Sequence, residues 1–167
     1  AMMRLGGKFL HVDGQGNSSA AKKKETLSDT IRCIECYADA IVLRHPVMGS
    51  VPKVVQATTK PVLNAGDGIG AHPTQALLDS FTIWDELKAD PKIVVLLGDL
   101  KHGRTVNSLA KLLSQWRPNS DLILRFCYPS SLSRPEYIIE YCKSNGVTTE
   151  VCDDLTEACK GAQVLYV

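Results

Sequence analysis

Short apolar runs alternate along this chain with stretches in which apolar residues return every third or fourth position, a pattern that predicts strands interleaved with helices. Lys8 to Val12 reads as a short strand. From Thr26 the residues Leu27, Ile31, Ile34 and Ala38 recur at helical spacing, which predicts an amphipathic helix over residues 25–38. Ala40 to Leu43 reads as a buried strand ending at Arg44-His45-Pro46, residues 50–58 as a short helix, and Pro61 to Asn64 as the next strand. A helix opened by Pro73 continues through Leu77, Phe81 and Trp84 to about Leu87. Lys92 to Gly98 is apolar on both faces, as a strand in a covered parallel sheet should be. A helix over 103–116, a strand over 122–127, a helix over 134–144, a strand over 148–152, a short helix over 155–160 and a final strand over 164–167 complete the alternation.

Strands and helices in this order argue for an α/β fold with parallel sheets. Lys88-Ala89-Asp90-Pro91 interrupts the pattern and marks the expected domain boundary, giving domains of residues 1–89 and 90–167. The chain begins in helix-like residues and stops within a strand, so it reads as a piece of a longer polypeptide.

With 19 basic and 18 acidic side chains among 167 residues, the formal charge of +1 gives no electrostatic reason to expect a nucleic-acid partner or a membrane surface. The longest apolar run, Ile93 to Leu97, is too short to span a bilayer. Ala1 to Gly7 shows no charged leader followed by a hydrophobic stretch, and the expected location is the cytoplasm. The six cysteines sit in helix-like and strand-like segments, which favours reduced thiols over a disulfide framework. Cys33-Ile34-Glu35-Cys36 has the spacing of half a zinc site, yet no matching second pair follows, so two helix cysteines without a chemical role are expected and no metal is predicted.

Ligands of open parallel sheets sit beyond the carboxyl ends of the strands. Three polar groups fall there independently: Arg44 after one strand, the loop Gly66 to Gln75 after the next, and Asp99-Leu100-Lys101-His102-Gly103-Arg104-Thr105 after a third. The stretch Asn64 to Asp79 joins a glycine-rich turn to a helix start, where unpaired N–H groups favour an anion. His72 at the cap and Gln75 three residues on can reach into the space before that helix; the competing reading is a plain capping arrangement. Each arginine can grip phosphate or carboxylate with two prongs or serve a structural ion pair. Lys22-Lys23-Lys24, on a Gly/Ser-rich loop, is either a solvated face or a mobile lid carrying cations.

These residues resemble a known family. His72-Pro73-Thr74-Gln75-Ala76-Leu77-Leu78-Asp79, preceded by Asn64-Ala65-Gly66-Asp67-Gly68, resembles the carbamoyl-phosphate motif of aspartate carbamoyltransferases. Gly98 to Val106 resembles the segment that opens their aspartate-binding domain, and Lys22 to Thr30 together with Arg44-His45-Pro46 complete the pattern in the family's order. The resemblance implies two doubly wound parallel-sheet domains, both truncated, the first binding carbamoyl phosphate and the second L-aspartate. It implies attack of the aspartate amine on the carbamoyl carbonyl, giving N-carbamoyl-L-aspartate and phosphate on the route to pyrimidines, without a cofactor.

By the same resemblance Arg44 and His72 are catalytic: Arg44 contacts the phosphate and the carbonyl oxygen, His72 donates to that oxygen, and Gln75 orients the carbamoyl amide. Arg104 holds a carboxylate of aspartate. Ser19 and Lys23 belong to a lid that reaches a neighbouring subunit's site, Lys23 also touching aspartate, which implies a homotrimer with shared sites; regulatory subunits or fused pyrimidine-pathway domains are further partners of such chains. The family's Ser-Thr-Arg-Thr loop would precede Ala1, and its second aspartate-binding arginine and His-Pro-Leu-Pro segment would follow Val167, so the isolated piece is expected to be inactive. Lys24 stands where the family has glycine, and Asn107 where it usually has histidine. A carbamoyltransferase for another amine such as ornithine, or a scaffold domain that has lost turnover, are the alternatives.

Overall fold

The computed structural model describes residues 2–12, 25–68, 70–116 and 121–167. After a short 3-10 turn at Met2–Leu5, the chain runs α1 (Leu27–Glu35), β1 (Ile41–His45), α2 (Ser50–Ala57), β2 (Val62–Asp67), α3 (Pro73–Leu87), β3 (Ile93–Leu97), α4 (Arg104–Trp116), β4 (Ile123–Cys127), α5 (Glu136–Ser144), β5 (Thr148–Cys152), α6 (Leu155–Cys159) and β6 (Val164–Tyr166). All strand pairs are parallel: β1 with β2 in one sheet, and a second sheet in the order β5-β4-β3-β6. The strand order reverses direction at β3, where the chain leaves for β4 and later returns to β6 on the other side, the doubly wound arrangement.

Local chemistry accounts for the element ends. Thr26 caps α1 by accepting the Asp29 N–H on its hydroxyl at 3.2 Å. Pro73 occupies the first turn of α3, where a missing N–H costs nothing, and Lys88 closes that helix in the left-handed conformation at φ 53°. Asp154 caps α6 through the Glu157 N–H at 2.8 Å.

The second sheet carries the larger core. Val94 and Leu96 of β3 and Leu124 and Phe126 of β4 are buried against Leu109, Ala110 and Leu113 of α4, Ile138 and Ile139 of α5, and Ile83 of α3. Its other face packs Val95 and Cys127 on Ala158 of α6. Arg125, mostly buried, ties the sheet to that helix by bonding Glu150 at 2.7 Å and the Ala158 carbonyl at 3.0 Å. A smaller cluster of Ile31, Ile41 and Val54 joins α1 and α2 to β1.

Three expectations need correction. Residues 8–12 form no strand, and Phe9 is 70% exposed, because among the described residues neither sheet offers this segment a partner strand. The strand expected at 40–43 runs from Ile41 to His45 and is half exposed rather than buried, since helices cover the first sheet on one face and leave Val42 69% exposed on the other. The helix expected over 25–38 is shorter, and Cys36 already forms its cap. No described helix is long and apolar enough to cross a membrane.

This asymmetry predicts that Leu96→Ala, in the two-faced core, lowers the free energy of unfolding by about 3 kcal/mol. Val42→Ala, on the uncovered face, should stay within about 0.5 kcal/mol. Urea titration followed by circular dichroism measures both.

Candidate active site

The carboxyl ends of β1, β2 and β3 form one rim, and an irregularity in the first sheet shapes it. Leu43 pairs with Asn64 and His45 with Asp67, so β2 carries one extra residue opposite Arg44. The sequence Asn64-Ala65-Gly66 builds this bulge: the Asn64 side-chain oxygen accepts the Gly66 N–H at 2.8 Å, and Gly66 adopts φ 135°. A Cβ placed on Gly66 would lie 3.5 Å from Cγ of Arg44, so the arginine's stem lies over the bulge while its residue stays exposed.

Asp67, buried at the end of β2, accepts the N–H groups of Gly49, Ser50 and Val51 at 2.9, 2.9 and 3.3 Å. The start of α2 is thereby filled by an internal carboxylate, leaving no place there for an outside anion. The same contact draws residues 46–48 against Gly68, where a Cβ would approach the Pro46 carbonyl to 2.6 Å; only glycine fits. Nδ1 of His45 accepts from the Val47 N–H at 3.1 Å and lies 2.6 Å from Oγ of Ser50, holding the Arg44-His45-Pro46 turn in place.

At α3, His72 is the cap. Its Nδ1 accepts the Gln75 N–H at 3.3 Å, which puts the ring proton on Nε2 and makes that nitrogen a donor. The capping arrangement and the donor role therefore coexist in one imidazole. The N–H groups of Gln75 and Ala76 both bond back to His72, so the helix start offers less backbone to an anion than its sequence suggests. The Gln75 side chain does not fold back: its Nε2 donates to Asp79 Oδ1 at 2.8 Å, and Asp79 Oδ2 accepts from the Tyr166 hydroxyl at 2.8 Å.

Arg104 opens α4 and donates through Nη1 to the Gly68 carbonyl at 2.6 Å. Its own carbonyl accepts from Ser108 Oγ at 2.7 Å, and that oxygen in turn accepts the His72 N–H at 2.9 Å. Gly68, Arg104, Ser108 and His72 thus form one hydrogen-bonded junction between the two sheets. The junction uses one prong of the Arg104 guanidinium, whose planar fork has further N–H donors of the kind that grip a carboxylate. The preceding turn is held by Asp99, whose carboxyl is kept below its ordinary range chiefly by the His102 N–H.

Arg44 thus stands at the end of β1, His72 and Gln75 at the start of α3 and Arg104 at the start of α4, and hydrogen bonds through Gly68 and Ser108 join the His72 and Arg104 segments. Ser19 and Lys23 lie outside the described residues. Asn107 reaches the Lys101 carbonyl, in the turn before α4, at 3.5 Å. Ser108 and Tyr166 were missed by sequence reasoning, and Asp67 was read only as part of the glycine-rich motif, since only the folded chain brings each to its partner. Two cavities, of about 290 Å³ between α3 and α4 near Trp84 and Trp116 and about 310 Å³ beside Tyr137, contain none of Arg44, His72, Gln75 and Arg104. The six cysteines are free, with Cys33 and Cys36 exposed on α1 and its cap.

The model of the carbamoyl-phosphate-binding domain of aspartate/ornithine carbamoyltransferases matches residues 1–85. This chain belongs to the aspartate/ornithine carbamoyltransferase family. It is 46% identical over its whole length to the aspartate carbamoyltransferase catalytic subunit of Methanothrix thermoacetophila, of which it covers 53%. It is 45% identical to the multifunctional protein CAD of Squalus acanthias, again over its whole length and over 7% of that protein. An aspartate transcarbamoylase from Trypanosoma cruzi, solved in complex with carbamoyl phosphate and aspartate, superposes with a TM-score of 0.84 at 39% identity, over 99% of this chain and 52% of that one. The chain thus spans about half the length of the single-function catalytic chains it matches, and its α/β fold is that of the matching half.

Burial raises the Tyr166 phenol above its ordinary value of 10.0; a bond from Thr105 opposes that shift and the Asp79 carboxylate adds to it. The sign follows: stability from the protonated phenol is complete below the unfolded value and is lost as pH rises through the folded one. Subtracting the phenolate absorbance titration of Tyr166→Phe from that of the wild type should leave a single transition with a midpoint above 10.0.

Proposed function

We propose that this chain is the central part of an aspartate carbamoyltransferase, transferring the carbamoyl group of carbamoyl phosphate to the amine of L-aspartate in pyrimidine biosynthesis. The observation that supports this reading is the junction through Gly68 and Ser108, which ties the start of α4, where Arg104 stands, to the loop after β2 and to His72 at the start of α3. Residues 1–89 supply the carbamoyl-phosphate side and residues 90–167 the aspartate side; the family match at 1–85 and the turn at Lys88 support a division there.

The chemistry follows from the groups present. The aspartate amine attacks the carbamoyl carbon, and negative charge grows on the carbonyl oxygen as the tetrahedral intermediate forms. Arg44 and the Nε2–H of His72 stabilise that charge, and donors held in place before the reaction spare the cost of reorganising water. The C–O bond to phosphate then breaks, and the departing phosphate takes the amine proton, so no protein general base is required. Arg104 fixes an aspartate carboxylate and aligns the amine for attack.

Ornithine is a poor fit as the amine, because its side chain would bring a cation to the Arg104 guanidinium. A non-catalytic scaffold would not need the Arg104 fork kept open. Ser19 and Lys23 serve as lid residues toward the site of a neighbouring subunit, in a homotrimer. The free thiols suit a reducing compartment such as the cytoplasm. The 167 residues span about half of the matched catalytic chain, so activity is read from the full-length chain.

In the full-length chain, Arg44→Ala or His72→Ala should lower kcat by about a hundredfold or more in an assay offering aspartate and ornithine side by side. Near-normal turnover in either variant, or carbamoylation of ornithine alone, overturns the assignment. Mixing Lys23→Ala subunits with Arg44→Ala subunits should restore part of the lost activity if sites are shared; mixtures no more active than their parents exclude the shared lid.

A further inference from the structure

The Gln75 amide has two ends that look alike in shape and are opposite in chemistry, one donating and one accepting. A carboxylate can only accept. With Asp79 Oδ1 at 2.8 Å from Nε2, the amide is held with its donor end toward Asp79, so its oxygen is the end turned away from that carboxylate. Asp79 is itself braced: its second oxygen accepts from the Tyr166 hydroxyl at 2.8 Å, and Tyr166 comes from β6, at the far side of the second sheet from β4. The carboxylate has thus one oxygen for the amide and one for the anchor.

We propose that Asp79, braced by Tyr166, is a positioning residue that fixes the Gln75 carbonyl oxygen toward the ligand and so makes the site select a phosphate ester bearing an amide N–H₂ over one bearing a methyl group. This rests on the carbamoyltransferase reading and adds a specificity device to it. Carbamoyl phosphate and acetyl phosphate share shape, charge and the reactive carbonyl, and differ in the N–H₂ that the Gln75 oxygen can accept from. A flipped amide would present N–H₂ to N–H₂ and lose the discrimination while leaving the phosphate grip untouched. Tyr166 also links the device across the molecule, since any motion of β6 relative to α3 works directly on the carboxylate that orients the amide.

The test uses the full-length chain and steady-state assays at saturating aspartate. The KM for carbamoyl phosphate and the competitive Ki of acetyl phosphate are measured for the wild type, Asp79→Ala and Tyr166→Phe. Both constants are independent of the fraction of active enzyme, so partial misfolding does not disturb their ratio. The wild type should favour carbamoyl phosphate, Asp79→Ala should shrink the ratio by about tenfold, the worth of one misdirected hydrogen bond, and Tyr166→Phe by about threefold. Acetyl phosphate affinity should change less than about twofold in both. Equal weakening toward the two compounds means a merely structural tie and overturns the proposal. A wild type that carbamoylates aspartate yet does not distinguish the two phosphates also overturns it, without harm to the function; a wild type with no aspartate carbamoylation removes the underlying reading and the proposal together.

Discussion

The hydrogen bond from Arg104 to the Gly68 carbonyl, closed into a junction by Ser108 and His72, is what the geometry of the rim depends on. One end of it belongs to the loop after β2 and the other to the start of α4, so the two sheets meet here through polar groups. Each member has a double duty. Ser108 donates to one side and accepts from the other, His72 uses its backbone N–H for the junction and its ring for the helix cap, and Arg104 spends one prong of its guanidinium on position.

The first sheet is arranged to make room for side chains rather than to bind through its backbone. Asp67 fills the start of α2 and His72 occupies the start of α3, so both helix dipoles in this region are engaged within the chain. The bulge at Asn64 to Gly66 sets the position of Arg44. Stiffness comes from elsewhere: the core of the second sheet, covered on both faces, supplies the larger apolar cluster on which α3 and α4 rest.

Division of labour between packing and chemistry also explains which residues escaped sequence reasoning. Ser108 and Tyr166 are ordinary residues of a helix and a strand until their partners arrive from 36 and 87 positions away. Asp79 lies within the recognised motif, yet its bond to Tyr166 has no counterpart in local spacing.

The pattern along the chain was enough to determine the order of elements from α1 onward, the parallel α/β class and the helix from Pro73 to Leu87, because periodicity, proline and glycine act over a few neighbouring positions. Tertiary structure alone decided that residues 8–12 are not a strand and that β1 is half exposed, since a strand exists through its partner and burial through what covers it. It also decided the tautomer of His72 and the direction of the Gln75 amide, because a hydrogen bond has a sense that is set by the group at its other end.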